Sequence, residues 1–163
     1  MSAPGHDAPS GQIPAQDTAL EEGFVSWRRD LFYNRDELKG GEMPRFLLFY
    51  HITWSTKYRQ PLINDDNREI IFKSIVAKSA ELGAGVLAVN GMEDHIHLLV
   101  SISPSLAPSV LIGQIKGVSS HLIRSLGWKH FKWGKEYSIR AISEEDLSKV
   151  TGYIKNQQLH HPK

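Results

Sequence analysis

The stretch Gly91-Met-Glu-Asp-His-Ile-His-Leu-Leu-Val-Ser101 decides the predicted fold and places the first candidate site. Apolar side chains recur at every second position from Ile96 to Ile102, and this alternation predicts a β-strand with one buried face. The same period of two places His95 and His97 together on the opposite face, where both imidazoles can bind one divalent cation. A pair of this kind is more often two solvated polar residues, so a metal site needs a third ligand from elsewhere in the chain.

The composition is that of a globular protein without thiol chemistry. The chain has 163 residues, of which 40% are hydrophobic and 23% are charged, so one domain of ordinary size and an extension are expected. Cysteine is absent, which excludes disulfides, thiolate zinc sites and a cysteine nucleophile. The apolar runs are too short to cross a bilayer and the first residues do not resemble a signal peptide, so we expect a cytoplasmic protein without membrane contact.

Charge is distributed unevenly along the chain. Residues 1–44 contain 8 acidic and 4 basic residues, a net charge of −4, whereas residues 45–163 contain 10 acidic and 15 basic residues, a net charge of +5. The basic part is compatible with a polyanionic partner but does not require one.

The first 44 residues are predicted to lie outside the main domain. Residues 1–17 are rich in Ala, Pro, Gly and Ser and are expected to form a disordered tail. Thr18-Ala-Leu-Glu21 has the pattern of a capping box, and apolar residues at spacings of three and four follow it. Residues 18–44 are therefore expected to form an amphipathic helix and a linker, and residues 45–163 the main domain.

Seven elements are predicted in the main domain. They are a strand at 45–55, a helix at 65–82, a hairpin of strands at 86–90 and 95–102, a helix at 108–125, one or two strands within 131–142, and a helix from the cap Ser143 to about His160. The core stripe expected on the second helix is Leu111, Ile115, Val118 and Leu122. The order β-α-β-β-α-β-α predicts an α+β, ferredoxin-like fold with a mainly antiparallel sheet under helices.

The terminal helix supplies candidates for the missing half of the site. Tyr153 and Gln157 are four residues apart, so they lie on one face of that helix. A half-buried tyrosine with an exposed amide is the ordinary explanation of this pair. However, a phenol can act as a nucleophile, and an amide oxygen can bind a hard cation. If the helix packs over the hairpin, His95, His97 and Gln157 would complete a metal site beside Tyr153.

Four separated motifs carry a resemblance to a known family. They are Asp94-His-Ile-His-Leu-Leu-Val100, Tyr50-His-Ile-Thr-Trp-Ser-Thr-Lys-Tyr-Arg59, Lys116-Gly-Val-Ser-Ser120 and Tyr153-Ile-Lys-Asn-Gln157. Together they resemble the single-tyrosine transposases of the HUH superfamily, small enzymes of bacterial and archaeal insertion sequences that act on single-stranded DNA, including their REP-associated relatives. The resemblance covers about Phe46 to His161.

The resemblance implies a DNA transposase that cleaves and rejoins single-stranded DNA at ends that carry imperfect hairpins, through a 5′-phosphotyrosine intermediate. It implies Tyr153 as the nucleophile, His95, His97 and Gln157 as ligands of Mg²⁺ or Mn²⁺, and a homodimer across which the sheet continues. In the family the tyrosine helix can serve the other subunit's site, so Tyr153 is a candidate for action in trans.

Five further residues are weaker candidates. Lys57, Arg59, Lys116 and Arg124 are candidate phosphate contacts, although surface cations are usually only solvated. Asp94 is a candidate for orienting a metal-binding histidine, and its alternative role is to close the turn.

Two other functions are compatible with these residues. A domesticated, non-catalytic descendant would bind a DNA or RNA hairpin and regulate through occupancy, although a binder has no need of the complete set of site residues. A metal-dependent hydrolase would use water in place of Tyr153. Covalent attachment of DNA to Tyr153 would separate the transposase from both alternatives.

Overall fold

Four strands and three helices build the part of the chain that the structure, a computed structural model, describes, namely residues 48–157. In chain order the elements are β1 (Leu48–Ser55), a 3-10 turn (Lys57–Arg59), α1 (Asp65–Glu81), β2 (Gly85–Gly91), β3 (His95–Ile102), α2 (Pro108–Ser125), β4 (Ser138–Ile142), a second 3-10 turn (Glu144–Asp146) and α3 (Leu147–Lys155). The predicted order of helices and strands is confirmed.

The strands form one antiparallel sheet in the order β2-β3-β1-β4. This order places β1 and β3 in the interior of the sheet, as expected for a ferredoxin-like fold. The β1–β3 register sets Thr53 opposite His97 and Ser55 opposite His95. Because residues directly opposite each other in a sheet share a face, the end of β1 lies beside the two histidines.

The two faces of β3 have different roles. Ile96, Leu98, Val100 and Ile102 are buried in the main core, which confirms the predicted apolar face of the strand. Helices α1 and α2 pack against each other and contribute apolar residues to this same core. Helix α3 instead contacts β2 and β3 on the face that carries His97. The sheet therefore separates the main core from the histidine face.

The buried stripe of α2 differs from the prediction. Leu111 and Ile115 are buried as expected, but Val118 is 38% exposed and Ser119 is fully buried in its place. A serine can occupy this position because its hydroxyl donates a hydrogen bond to the carbonyl of Ile115 at 2.7 Å and accepts one from Trp133 Nε1 at 2.9 Å. Apolar spacing alone does not reveal a buried hydroxyl that is satisfied by a distant tryptophan.

Two predicted elements are shorter in the structure. Residues 131–142 contribute one strand, β4, and a single bridge between Trp133 and Thr56, because the segment before β4 lies against the end of β1. The terminal helix begins with a 3-10 turn before α3, and the Ser143 side chain caps it by accepting from the Asp146 amide at 3.3 Å. The predicted cap is therefore confirmed.

The turn between β2 and β3 requires a glycine. A Cβ atom on Gly91 would lie 2.2 Å from the carbonyl oxygen of His95 and 3.1 Å from Ile96 Cα. Both contacts involve backbone atoms, so the hairpin could not accept a side chain here without moving. Gly91 therefore sets the start of the strand that carries the histidines.

Several expectations fall outside the described residues. The disordered tail, the amphipathic helix and linker, residues 45–47 of the first predicted strand and the end of the last helix belong to this group, and they remain predictions. Within residues 48–157, no helix is both long and apolar enough to cross a membrane.

Candidate active site

The site forms where α3 lies against the β2–β3 hairpin. The amide nitrogen of the Asn90 side chain, on β2, donates hydrogen bonds to the carbonyls of Ile154 at 2.9 Å and Lys155 at 3.2 Å. These two bonds hold the end of α3, since the last carbonyls of a helix have no partners inside it. Tyr153 lies in this part of α3 and Gln157 follows directly after its end, so both side chains are brought to the histidine face.

All four residues proposed from sequence for the catalytic and metal sites lie together. The rings of His95 and His97 have centroids 5.1 Å apart, and the ring of Tyr153 is 6.1 Å from that of His97 in an edge-to-face arrangement. The Gln157 side-chain nitrogen is 3.4 Å from His95 Nε2. Tyr153 is 43% exposed, so this side of the site is open to solvent.

Gln157 is buried although it has an amide side chain. Its exposure is 0%, and its Oε1 atom has no hydrogen-bond partner. A buried acceptor without a partner costs about 1–3 kcal/mol of stability. Half a turn of the amide would direct Oε1 toward His95 Nε2, and two atoms with lone pairs would then face each other, as they do around a cation.

Asp94 and Arg59 support His95 from behind. An Asp94 carboxylate oxygen lies 2.5 Å from His95 Nδ1, and the other accepts from Arg59 Nε at 3.0 Å. Burial opposes ionisation of Asp94, but the hydrogen bond from His95 Nδ1 and the nearby Arg59 guanidinium outweigh it, so the pKa of this carboxyl is lowered. A proton on Nδ1 directs the lone pair of His95 to Nε2, the nitrogen nearest Gln157.

His51 is a site residue that the sequence did not single out. Its Nε2 lies 2.9 Å from His97 Nδ1, and the two rings are stacked with centroids 5.1 Å apart. Burial, followed by the charge of Arg140, lowers the pKa of His51, which favours a neutral ring that can accept a hydrogen bond. Alternation in β1 places His51 on the same face as Thr53, but the register that brings this face to His97 is a tertiary feature.

The amide of Gln157 is needed for any three-ligand metal site here. Within the described part of the chain, no three or more His, Asp or Glu side chains are grouped so that they could hold a metal ion. Two imidazoles and an amide oxygen suit a divalent cation that also keeps open positions for substrate oxygens.

The four candidate phosphate contacts have different surroundings. Lys57 and Arg59 are exposed at the end of β1. Lys116 is half-buried, its Nζ donates to the carbonyl of Lys135 at 3.2 Å, and burial lowers its pKa. Arg124 donates from Nη1 to the carbonyl of Phe131 at 3.4 Å. Their role in DNA binding remains a prediction.

Comparison with known proteins gives consistent matches. The chain is 30% identical over 131 residues to the ISDra2 transposase TnpA of Deinococcus radiodurans, which is 74% of this chain and 91% of that protein. It is 30% identical over 116 residues to the transposase of insertion sequence element IS200 from Salmonella typhimurium, which is 66% of this chain and 75% of that protein.

Two solved structures share the fold. A crystal structure described as a candidate transposase from Deinococcus radiodurans superposes with a TM-score of 0.58 at 25% identity, covering 74% of this chain and 98% of that one. A REP-associated tyrosine transposase bound to a REP hairpin superposes with a TM-score of 0.57 at 16% identity, covering 75% and 74%, and this likeness concerns the fold alone.

A family model adds the last observation. The model described as IS200-like transposase matches residues 45–157, which include the histidine strand, the tyrosine helix and everything between them. With its antiparallel sheet and with relatives at 30% identity, the chain belongs to the family of IS200-like transposases.

Proposed function

We propose that this protein is a metal-dependent, HUH-type tyrosine transposase that cleaves and rejoins single-stranded DNA at hairpin-bearing ends through a 5′-phosphotyrosine intermediate. The proposal is supported most by the approach of two distant parts of the chain. The ring centroids of Tyr153 and His97 are 6.1 Å apart, and the Gln157 side-chain nitrogen is 3.4 Å from His95 Nε2. The members of each pair are more than fifty positions apart in sequence, and each residue has a separate role in the chemistry.

The metal site consists of His95, His97 and Gln157. Asp94 holds Nδ1 of His95, and His51 holds Nδ1 of His97, so the two Nε2 atoms would be the ones that hold a metal ion. The buried Oε1 of Gln157, which has no hydrogen-bond partner, would be the third ligand. Bound Mg²⁺ or Mn²⁺ would supply Lewis-acid stabilisation of charge on the scissile phosphate.

Cleavage is a transfer of the phosphoryl group to Tyr153. The phenol oxygen attacks phosphorus and forms a P–O bond while the bond from phosphorus to the 3′ oxygen of the preceding nucleotide breaks. The phenol proton is released, and the departing 3′ oxygen takes up a proton. The products are a 5′-phosphotyrosine and a free 3′-hydroxyl.

Rejoining is the same transfer in reverse. A 3′-hydroxyl from a second strand attacks the phosphotyrosine, the bond to Tyr153 breaks, and the phenol regains its proton. Since one P–O bond replaces another in each step, strand exchange needs no energy from a nucleoside triphosphate.

The substrate is proposed to be single-stranded DNA that folds into imperfect hairpins. The REP-associated tyrosine transposase that shares the fold was solved bound to a REP hairpin. In this chain, a single strand offers a flexible backbone that can reach the exposed Tyr153 at the sheet face.

A homodimer is proposed to form through the edge of the sheet. β4 lies at one end of the described sheet, and four of its five residues are exposed, including Ile139 at 37%. An edge strand with an exposed apolar residue is suited to pairing with another copy. In such a dimer, Tyr153 could serve the partner's site, and mixing Tyr153→Phe with His97→Ala subunits would restore activity if it does.

The function is tested by incubating the protein with magnesium and labelled hairpin DNA from the sequences that flank its gene. A covalent protein–DNA adduct is expected with the wild type and is lost in Tyr153→Phe. Tyr137→Phe is the matched control, because Tyr137 is an exposed tyrosine outside the site.

Two results would contradict the proposal. Cleavage that survives Tyr153→Phe would indicate a hydrolase that uses water. Binding without cleavage of any flanking end would indicate a hairpin-binding regulator. For the dimer, light scattering that shows only monomer with and without DNA would be decisive.

A further inference from the structure

The turn that follows β1 exposes an aromatic ring on an unusual backbone. Tyr58 and Arg59 have φ angles of 56° and 53°, the left-handed region that non-glycine residues rarely adopt. Tyr58 is 82% exposed, so core packing does not explain why a large ring occupies this position. Strained backbone of this kind persists where surrounding contacts hold it, and it is often found at functional sites.

Hydrogen bonds hold this turn against Asp94, the residue that precedes β3. The Thr56 amide donates to the carbonyl of Asp94 at 2.8 Å. The Thr56 hydroxyl donates to the carbonyl of Gln60 at 2.5 Å and lies 3.2 Å from that of Asp94, so it ties the end of the turn to the same place. Arg59 forms an ion pair with the Asp94 carboxylate, which in turn contacts His95. The turn that carries Tyr58 is therefore held beside Asp94 and, through Asp94, beside His95.

A second basic segment lies beside the turn. The Lys57 amide donates to the carbonyl of Lys132 at 2.9 Å, and the Gly134 amide donates to the carbonyl of Ser55 at 2.8 Å. We call the resulting surface the basic platform; it consists of the exposed residues Lys57, Tyr58, Arg59, Lys132 and Lys135. Four of these five residues are cationic; Arg59 is paired with Asp94, and Lys57, Lys132 and Lys135 are the other three.

We propose that the basic platform binds the DNA strand that leaves the active site, with an unpaired base stacked on Tyr58 and phosphates on Lys132 and Lys135. The proposal rests on the proposed function, since it assigns a path to that substrate. Lys57 Nζ lies 5.0 Å from the centre of the Tyr58 ring, so a stacked base would also lie near a cation.

An unpaired base fits this surface better than a duplex. A single strand can place the face of a base on an aromatic ring while its phosphates follow nearby lysines. In a duplex, the base faces are covered by neighbouring pairs, and only backbone contacts would remain. Stacking also tolerates any base, so the platform would hold the strand without reading its sequence.

The first test measures binding of a fluorescent oligothymidylate in EDTA, where the metal cannot contribute. Tyr58→Ala is expected to weaken binding about 10-fold, in line with the loss of one stacked base, and Tyr58→Phe is expected to bind like the wild type. Neither change should alter binding of a blunt duplex. Equal binding of oligothymidylate by Tyr58→Ala and the wild type would overturn the proposal.

A glycine variant separates binding from folding. Tyr58→Gly removes the ring and also relieves the left-handed backbone, so its melting temperature should rise while its affinity for oligothymidylate falls. A purely structural tyrosine would not give this opposite pair of changes. A glycine variant that keeps wild-type affinity would refute stacking even if the alanine variant proved unstable.

The salt dependence tests the lysines separately. Lys132→Ala and Lys135→Ala should each reduce the slope of log affinity against log salt by about 0.7, the value for one phosphate contact on a single strand. Tyr58→Ala should leave that slope unchanged. Lys73→Ala on α1 is the matched control, because Lys73 is exposed and pairs with Glu69 at 2.6 Å. Unchanged slopes in both platform variants would overturn the phosphate assignment.

The adduct assay distinguishes failure of this inference from failure of the proposed function. If the wild type forms the covalent adduct but Tyr58→Ala binds oligothymidylate normally, the proposed role of the basic platform is refuted and the proposed transposase function is supported. If Tyr58 is needed for binding but no adduct forms with any end, the platform stands as a single-strand surface of a non-cleaving protein.

Discussion

Replacing Gln157 with methionine should stabilise the metal-free protein and abolish its response to magnesium. Gln157 is fully buried, its Oε1 has no partner, and its nitrogen makes a single long contact of 3.4 Å with His95. Methionine has a similar unbranched shape but no polar atom to bury. The variant therefore removes the cost of the unpaired oxygen and loses little in exchange.

The magnitude follows from those contacts. A buried acceptor without a partner costs about 1–3 kcal/mol, and a hydrogen bond at the long end of the range contributes roughly 0.5 kcal/mol. In EDTA, the free energy of unfolding of Gln157→Met should thus exceed that of the wild type by about 1 kcal/mol. Urea denaturation followed by circular dichroism measures this difference, and an unchanged m-value would show that the denatured state is the same.

Magnesium should reverse the order of the two proteins. At about ten times its dissociation constant, a ligand that binds the folded state alone stabilises it by roughly 1.4 kcal/mol. The wild type should gain this amount, whereas Gln157→Met, which lacks the third ligand, should gain almost nothing. The wild type would then be the more stable protein in magnesium and the less stable one in EDTA.

A glutamine on the surface provides the control. Gln114 is exposed on α2, so Gln114→Met makes the same chemical change without burial and should leave both measurements within about 0.5 kcal/mol of the wild type. Two results would refute the reasoning. One is a Gln157→Met protein that is less stable than the wild type in EDTA, and the other is an equal magnesium response in both.

Three further changes have defined outcomes. Gly91→Ala should lower the free energy of unfolding by about 3 kcal/mol in urea denaturation, because the new Cβ would lie 2.2 Å from the His95 carbonyl oxygen. Gly113→Ala is the control: its Cβ would have no atom within 4 Å at an exposed position of a helix, so the free energy of unfolding should rise by roughly 0.5–1 kcal/mol. Equal effects of the two changes would contradict the clash. Asp94→Asn should destabilise the protein at neutral pH, and the difference should disappear as the pH falls below the ordinary value of 3.8, because the carboxyl's pKa is lowered only in the folded protein. Lys116→Met should lose stability relative to the wild type as the pH rises toward 10.5, because burial lowers the pKa of Lys116 and folding therefore favours its neutral form. Parallel plots of unfolding free energy against pH for the two proteins would show that this lysine is not desolvated.

Periodicity predicted most of the fold because it reports directly on burial. The alternation from Ile96 to Ile102 and the helical spacing of Leu111 and Ile115 match the observed core. The prediction was wrong at Val118, since Ser119 is buried through hydrogen bonds to a carbonyl in its own helix and to a tryptophan fourteen residues away. A pattern of apolar residues cannot contain a polar partner that lies outside the helix.

Local sequence patterns are sufficient to identify which residues could do the chemistry and which side of an element each would occupy. The period of two placed His95 and His97 on one face of a strand, and the spacing of four placed Tyr153 and Gln157 on one face of a helix. Both are rules of local geometry, so they apply to each element whatever it packs against.

The meeting of these two faces, and the contacts that support them, depend on how the whole chain packs. The β1–β3 register brings His51 to His97, the bonds from Asn90 anchor the end of α3, and Asp94 links His95 to Arg59. Each of these contacts joins residues that are far apart in sequence or depends on the direction of a side chain. They follow from the packing of whole elements around one core, which no local pattern specifies.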